Sequence, residues 1–189
     1  MFMQTFISIL RGINVSGQKK ILMADLKVLY ENLNFKDVAT YIQSGNIIFK
    51  STEKLSEGEL AKKIEKAIFK KYNFEVPIVI RIEKEMEKII SSNPFLKEEN
   101  IDTKKLYITF LSEIPDKKKL ESIENTAFLP DKFIVSGKEI YLHIPGSYGE
   151  TKLSNKFFET KLKVTATTRN WNTVNKLFEM GSDSKQANR

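Results

Sequence analysis

The sequence predicts an α+β protein made of two ferredoxin-like βαββαβ halves. Residues 1–82 show strand-like and helix-like patterns in the order βαββαβ, and the same order returns over residues 105–180. A Ser-Gly hairpin occupies the same place in both halves. We expect each half to form one antiparallel sheet with its helices on one face, and the repetition predicts an internal duplication.

The first half alternates short apolar, β-branched runs with helical periodicity. Its predicted elements are a strand at 5–11, a helix through Leu22, Leu26, Leu29 and Leu33, strands at 38–43 and 46–50, a helix from Ser56, and a strand at 76–82. Ser56 and Glu59 have the spacing of a capping box, which predicts where the second helix begins. Ser44-Gly45 is typical of a two-residue hairpin link.

A connecting helix and turn, residues 83–104, separate the two halves. The second half then contains predicted strands at 105–112, 132–136, 138–144 and 163–168, with helices at 116–124, 151–162 and 172–180. The hairpin IQSGNIIF (42–49) aligns with IVSGKEIY (134–141), which supports the duplication. Residues 181–189 lack periodicity and are predicted to be a disordered tail.

Composition limits the chemistry of the chain. There is no cysteine, which excludes disulfides, thiolate nucleophiles and cysteine-ligated metal sites. The formal net charge is +7, and the basic excess lies in residues 1–82 and 151–189. Such a charge is found in proteins with solvated lysine-rich helices, and it is also found in proteins that bind an anionic partner. The apolar stretch near the start stops at Arg11, too early for a signal peptide or membrane span, so we expect a cytoplasmic protein without membrane partners.

The predicted strand order, 4-1-3-2, brings two polar loops of the first half together. In such a sheet the first and second strands run in the same direction, so the loop at 11–20 and the hairpin at 43–46 open at one end. The predicted ligand-binding residues there are Arg11, Asn14, Gln43, Ser44 and Asn46. Amide and guanidinium donors beside glycine suit an anion or a carbonyl-rich ligand. The alternative is that these Asn and Gly residues only shape turns.

A second polar neighbourhood is predicted where the loop at 144–152 meets a TTRNWN loop (167–172) at the start of the last helix. Its candidate binding residues are Lys152, Arg169, Asn170, Trp171 and Thr173, with Tyr148 close by. Here the alternative is that an asparagine only caps the helix and Trp171 is an edge of the core. The sequence leaves open whether the two neighbourhoods form one site.

Three stretches, LRGINVSG (10–17), YIQSGNIIF (41–49) and TATTRNWNTVNKL (165–177), resemble the signature motifs of the family catalogued as domain of unknown function 1697. The resemblance covers about residues 4–178 and implies a small bacterial α+β protein with no established activity. The chain departs from the family pattern at Ser16-Gly17, where the family has Gly-Gly, and at Thr151, where it often has serine.

The residues favour a non-enzymatic binder of an anionic ligand, nucleic acid or a nucleotide. His143 is the only histidine, no Ser-His-acid arrangement is evident, and the glycines match neither phosphate-binding loop pattern, so we predict no catalytic residue, metal or cofactor. Two alternatives stay open. One is an enzyme acting on a phosphorylated or nucleotide substrate without metal, and the other is a protein-interaction module. The oligomeric state is not predictable from the sequence.

Overall fold

The computed structural model describes residues 3–124 and 128–186, and it confirms two four-stranded antiparallel sheets with the βαββαβ order. The chain divides into two compact units. The first contains the described residues up to Glu87 and those from Lys176 onward, and the second spans Lys88–Asn175. Among the described helices, none is both long enough and apolar enough to span a membrane.

The first unit contains the first sheet. Its elements are β1 (Gln4–Leu10), α1 (Met23–Asn32), β2 (Lys36–Tyr41), β3 (Asn46–Ser51), α2 (Glu57–Tyr72) and β4 (Ile78–Ile82). The strand order β2-β3-β1-β4, with antiparallel neighbours throughout, is the predicted one. Consequently β1 and β2 end at the same end of the sheet, and β4 begins there.

The second sheet repeats this arrangement. The elements that follow β4 are α3 (Glu83–Ser91), two short 3-10 helices (Pro94–Lys97 and Thr103–Lys105), β5 (Leu106–Leu111), α4 (Lys117–Glu124), β6 (Lys132–Ser136), β7 (Glu139–His143), α5 (Asn155–Leu162), β8 (Ala166–Asn170) and α6 (Trp171–Gln186). The order β6-β7-β5-β8 is again antiparallel. Each sheet therefore has its first two strands running in the same direction.

Each sheet packs helices on one face through alternate strand residues. In the first sheet Phe6 and Phe49 belong to the core shared with α1 and α2, and their rings stack at 5.4 Å. Ile7 and Ile48, the next residues on β1 and β3, point to the opposite face of the sheet and are also buried. In the second sheet, too, residues on both faces are buried, which places apolar strand residues in two layers of core.

The predicted start of α2 is confirmed in detail. The backbone N–H of Glu59 donates to Ser56 Oγ at 3.3 Å, and Glu59 Oε2 accepts from the Ser56 backbone N–H at 2.8 Å. These reciprocal bonds form the predicted capping box. At the other end Asn73 adopts a left-handed conformation, which is a common way for a helix to stop.

The prediction for the end of the chain was wrong. The last helix was expected to stop at residue 180 and to be followed by a disordered tail, but α6 continues to Gln186, and residues 187–189 lie outside the described residues. The prediction rested on the lack of apolar periodicity after residue 180, and a glycine such as Gly181 is also common just beyond the end of a helix. Here it is buried inside the helix, and a Cβ at this position would lie 3.5 Å from Ile7 Cδ1.

Candidate binding site

Three segments meet at the end of the first sheet where β1 and β2 stop. The backbone N–H of Leu10 donates to Gly45 O, and that of Arg11 donates to Pro77 O, both at 2.9 Å. The loop after β1 is therefore fixed between the β2–β3 hairpin and the start of β4. We call this region the loop end and define it as residues 11–22, 42–45 and 70–77.

Asn14 joins two of these segments. Its Nδ2 donates to Gln43 O at 2.9 Å and to Ile21 O at 3.0 Å, and its Oδ1 accepts from the Ile21 N–H at 2.9 Å. This confirms that the loop after β1 lies beside the hairpin. It also uses both amide hydrogens of Asn14 within the chain, so this predicted ligand-binding residue holds the loops together.

The segment between Asn14 and Lys19 is a small exposed hairpin. The Gln18 N–H donates to Val15 O at 3.0 Å, and Ser16 and Gly17 both have positive φ, 49° and 75°. Two consecutive positive φ angles are typical of a type I′ turn. The side chains at the tip are thus exposed to solvent.

The β2–β3 hairpin packs closely under this loop. Gly45 has φ 78°, and a Cβ there would lie 2.7 Å from Ile13 Cδ1, so only glycine fits without movement. Asn46 is buried, and its Nδ2 donates to Tyr41 O at 3.0 Å and to Ser44 Oγ at 3.1 Å. The predicted residues Ser44 and Asn46 therefore brace the turn. The link comprises four residues, 42–45, and not the two that were predicted.

The loop end carries positive charge. Its five basic residues stand against one acidic residue, and they are Arg11, Lys19, Lys20, Lys70 and Lys71, with Glu75 as the acid. Lys19 Nζ donates to Glu75 O at 2.6 Å, and Lys71 Nζ donates to the carbonyl of Asp25 in α1 at 3.3 Å. Both ammonium groups thus donate to backbone carbonyls. A carbonyl carries no net charge, so these two contacts do not neutralise the lysines.

The sequence prediction for this region was incomplete. It selected Arg11 and the exposed Gln43 but not the four lysines, because each lysine alone has the pattern of a solvated surface residue. The basic pair at the end of α2 could have been found from the fold plan, since that helix ends where β4 begins. Lys19 and Lys20 lie inside the predicted loop at 11–20, and their adjacency was the available signal.

In the second predicted neighbourhood the loop between β7 and α5 is present, but TTRNWN contains no loop. Arg169 and Asn170 are the last residues of β8, and Trp171 begins α6 directly. The half-buried Arg169 donates through Nη1 to Thr168 O at 2.9 Å and to Thr167 Oγ1 at 3.1 Å. The expectation of a TTRNWN loop was therefore wrong, because strand passes into helix without a connecting residue.

The residues around this junction serve the fold. Asn170 Oδ1 accepts from the Thr173 N–H at 2.8 Å, as an N-cap does. Trp171 is 7% exposed and Thr173 is buried, so the indole ring is part of the core. Tyr148 stacks on Tyr107 with ring centroids 4.7 Å apart. The contacts of Asn170 and Trp171 agree with the alternative given above, in which an asparagine caps the helix and Trp171 belongs to the core.

Lys152, the remaining predicted residue of the second unit, is exposed, and His143, for which no role was predicted, is half-buried with its ring 5.9 Å from that of Phe95. Within the described ranges, no group of three or more His, Cys, Asp or Glu side chains is placed to hold a metal ion. The loop end is accordingly the better candidate for a binding site.

Comparison with known proteins gives a family and a fold. The family model described as "Protein of unknown function (DUF1697)" matches residues 3–141, which include the loop end and stop before β8. The structure of the conserved bacterial protein SP0830 from Streptococcus pneumoniae is similar to this chain with a TM-score of 0.77 and 25% sequence identity, over 95% of this chain and 99% of that one. No curated protein matches the chain.

Proposed function

Because the chain belongs to the DUF1697 family, whose function is unknown, we propose from the geometry of the loop end that the protein binds an anionic ligand there without catalysing a reaction. The observation that carries this proposal is the excess of five basic residues over one acidic residue on segments that two hydrogen bonds join, from the Arg11 N–H to Pro77 O and from Lys19 Nζ to Glu75 O. Fixed cationic groups attract and orient anions more effectively than the same charges on mobile loops.

The start of α1 adds backbone amide donors, in a first turn whose acidic residue is Asp25. Leu22 occupies the N-cap position and provides no side-chain hydrogen bond to the first turn of the helix. The first amide groups of a helix lack partners within it, and together with the helix dipole they favour a negative group nearby. The loop 11–22 leads directly into this helix, so these amides lie beside Lys20 in the chain.

The burial of the sheet faces limits how a nucleic acid would bind. RNA-recognition motifs stack bases on aromatic side chains of the open sheet face. Here Ile7 and Ile48 occupy that face of the first sheet and are buried, and in the second sheet Tyr141 is buried with its hydroxyl donating to Ile89 O at 3.2 Å. Burial also raises the pKa of Tyr141 to about 12. Recognition at the loop end would therefore rest on phosphate or carboxylate groups.

The test compares the binding of two labelled polyanions, polyglutamate and a single-stranded oligonucleotide, by fluorescence anisotropy at low and high salt. We expect Lys19→Glu/Lys20→Glu to weaken binding of either probe about tenfold or more, because each reversal replaces attraction by repulsion. Lys54→Glu is the control, since the exposed Lys54 follows β3 at the opposite end of the same sheet. Equal affinities for both variants and the wild type would refute the proposed site.

A further inference from the structure

Three large apolar side chains are exposed within the loop end, and a fourth, Phe69, is exposed directly beside it. Val15, Leu22, Ile42 and Phe69 are exposed by 58%, 70%, 48% and 50%. Phe69 immediately precedes the basic pair that ends α2. The other three are neighbours in the chain of Asn14, Ile21 and Gln43, the residues that the Asn14 amide holds together. The hydrogen bonds of Asn14 thus gather three exposed aliphatic residues in one region.

Ile42 is unfavourable for the stability of the folded chain in two ways. Its φ is 50°, in the left-handed region that a β-branched residue rarely adopts, and its side chain is half exposed to water. Asparagine or glycine would fit this turn position with less strain. Strained residues and exposed apolar patches both occur preferentially where a protein binds a partner.

We propose that the loop end docks an acidic protein segment carrying aliphatic or aromatic side chains. This inference rests on the proposed function and specifies its partner. Basic residues around aliphatic side chains complement a chain that alternates carboxylates with apolar groups. A nucleic acid complements this surface less well, since its bases stack on aromatic rings or guanidinium groups, whereas three of the four exposed side chains are aliphatic.

The experiment uses the full-length protein and a pair of fluorescein-labelled peptides of equal charge. One peptide consists of acidic residues and leucines, and in the other every leucine is replaced by serine. Burial of a few aliphatic side chains lowers a dissociation constant about tenfold or more. The leucine peptide should therefore bind more tightly than the serine peptide by at least that factor. A labelled oligonucleotide of the same net charge is the third probe.

Ile42→Asn separates docking from folding. Asparagine tolerates the left-handed conformation, so this variant should be at least as stable as the wild type while its preference for the leucine peptide falls. Val15→Ser should reduce the same preference. Met3→Asn is the matched control, because Met3 is exposed and precedes β1 at the opposite end of the sheet. It should leave the preference unchanged.

The outcomes are distinct. Preference for the leucine peptide that Ile42→Asn reduces and Met3→Asn does not would support docking of an acidic apolar segment. Equal affinity for the two peptides, lost in Lys19→Glu/Lys20→Glu, would overturn this inference while the proposed anionic site stands. Tighter binding of the oligonucleotide than of the leucine peptide would also overturn it and favour nucleic acid. Failure of the wild type to bind any probe would contradict both proposals.

Discussion

Asn14 determines the geometry of the loop end, because a single side-chain amide holds backbone groups of two segments. It also adopts a positive φ of 55°, a conformation that asparagine tolerates better than most residues. The sequence correctly indicated that Asn14 and Gln43 lie close together. It could not distinguish an amide that binds a ligand from one that binds the chain itself, since the donors and acceptors are the same in both cases.

Replacing Asn14 by Asp tests this role. The carboxylate keeps an acceptor for the Ile21 N–H but loses both donated bonds and faces two carbonyl oxygens. We expect the free energy of unfolding to fall by about 2 kcal/mol, measured by urea denaturation. Asn100→Asp is the matched control, because Asn100 is exposed and also has positive φ, 57°. Equal effects of the two substitutions on stability would show that the Asn14 side chain does not hold the two segments together.

At the scale of the element, the sequence predicted most of the helices and strands because their signals are local. The capping box of α2 is formed by residues three apart, and strand periodicity requires only a few neighbours. Predictions failed where a distant contact decides the outcome. Gly181 is buried within α6 beside Ile7, which is far away in the sequence, and the absence of a loop before Trp171 depends on where β8 pairs with β5.

The capping box makes the stability of α2 depend on pH. Hydrogen bonds from the Ser56 side chain, and then from its backbone, lower the pKa of Glu59 from its ordinary value of 4.5. A carboxyl whose pKa is lower in the folded state stabilises fully above its unfolded pKa. That stabilisation is lost as the pH falls through the folded pKa. Acidification below about pH 4.5 should therefore remove the contribution of Glu59.

The comparison with Glu59→Gln measures this contribution. Glutamine still accepts a hydrogen bond but does not ionise, so the stability advantage of the wild type over this variant, measured by urea unfolding, should shrink as the pH falls below about 4.5. Glu99→Gln, at an exposed position outside any helix, should show no such convergence with the wild type. Ser56→Ala should cost about 1 kcal/mol at neutral pH. A pH-independent difference for Glu59→Gln would contradict the proposed role.

At the scale of the whole molecule, the order of elements was enough to predict both strand orders, because the βαββαβ sequence permits few antiparallel arrangements. The common order agrees with an internal duplication, which stays a prediction. The burial of both faces of each sheet was harder to predict. Runs such as Ile7 to Leu10 alternate between two covered faces, and a short apolar run does not show whether one face or both are covered.

This burial leads to a prediction for the whole chain. Trp171 is the single tryptophan and is 7% exposed, so its emission should be blue-shifted and should not change when a labelled oligonucleotide saturates the protein. Because the central strands of both sheets are largely buried on both faces, oligonucleotides of different base composition should bind with affinities within about threefold of one another and weaken together as salt rises. Fluorescence titration and anisotropy measure both effects. Quenching of Trp171 would show that the nucleic acid reaches a side chain that the structure buries, and would place recognition away from the loop end. A strong preference for one base would contradict recognition through phosphate groups alone.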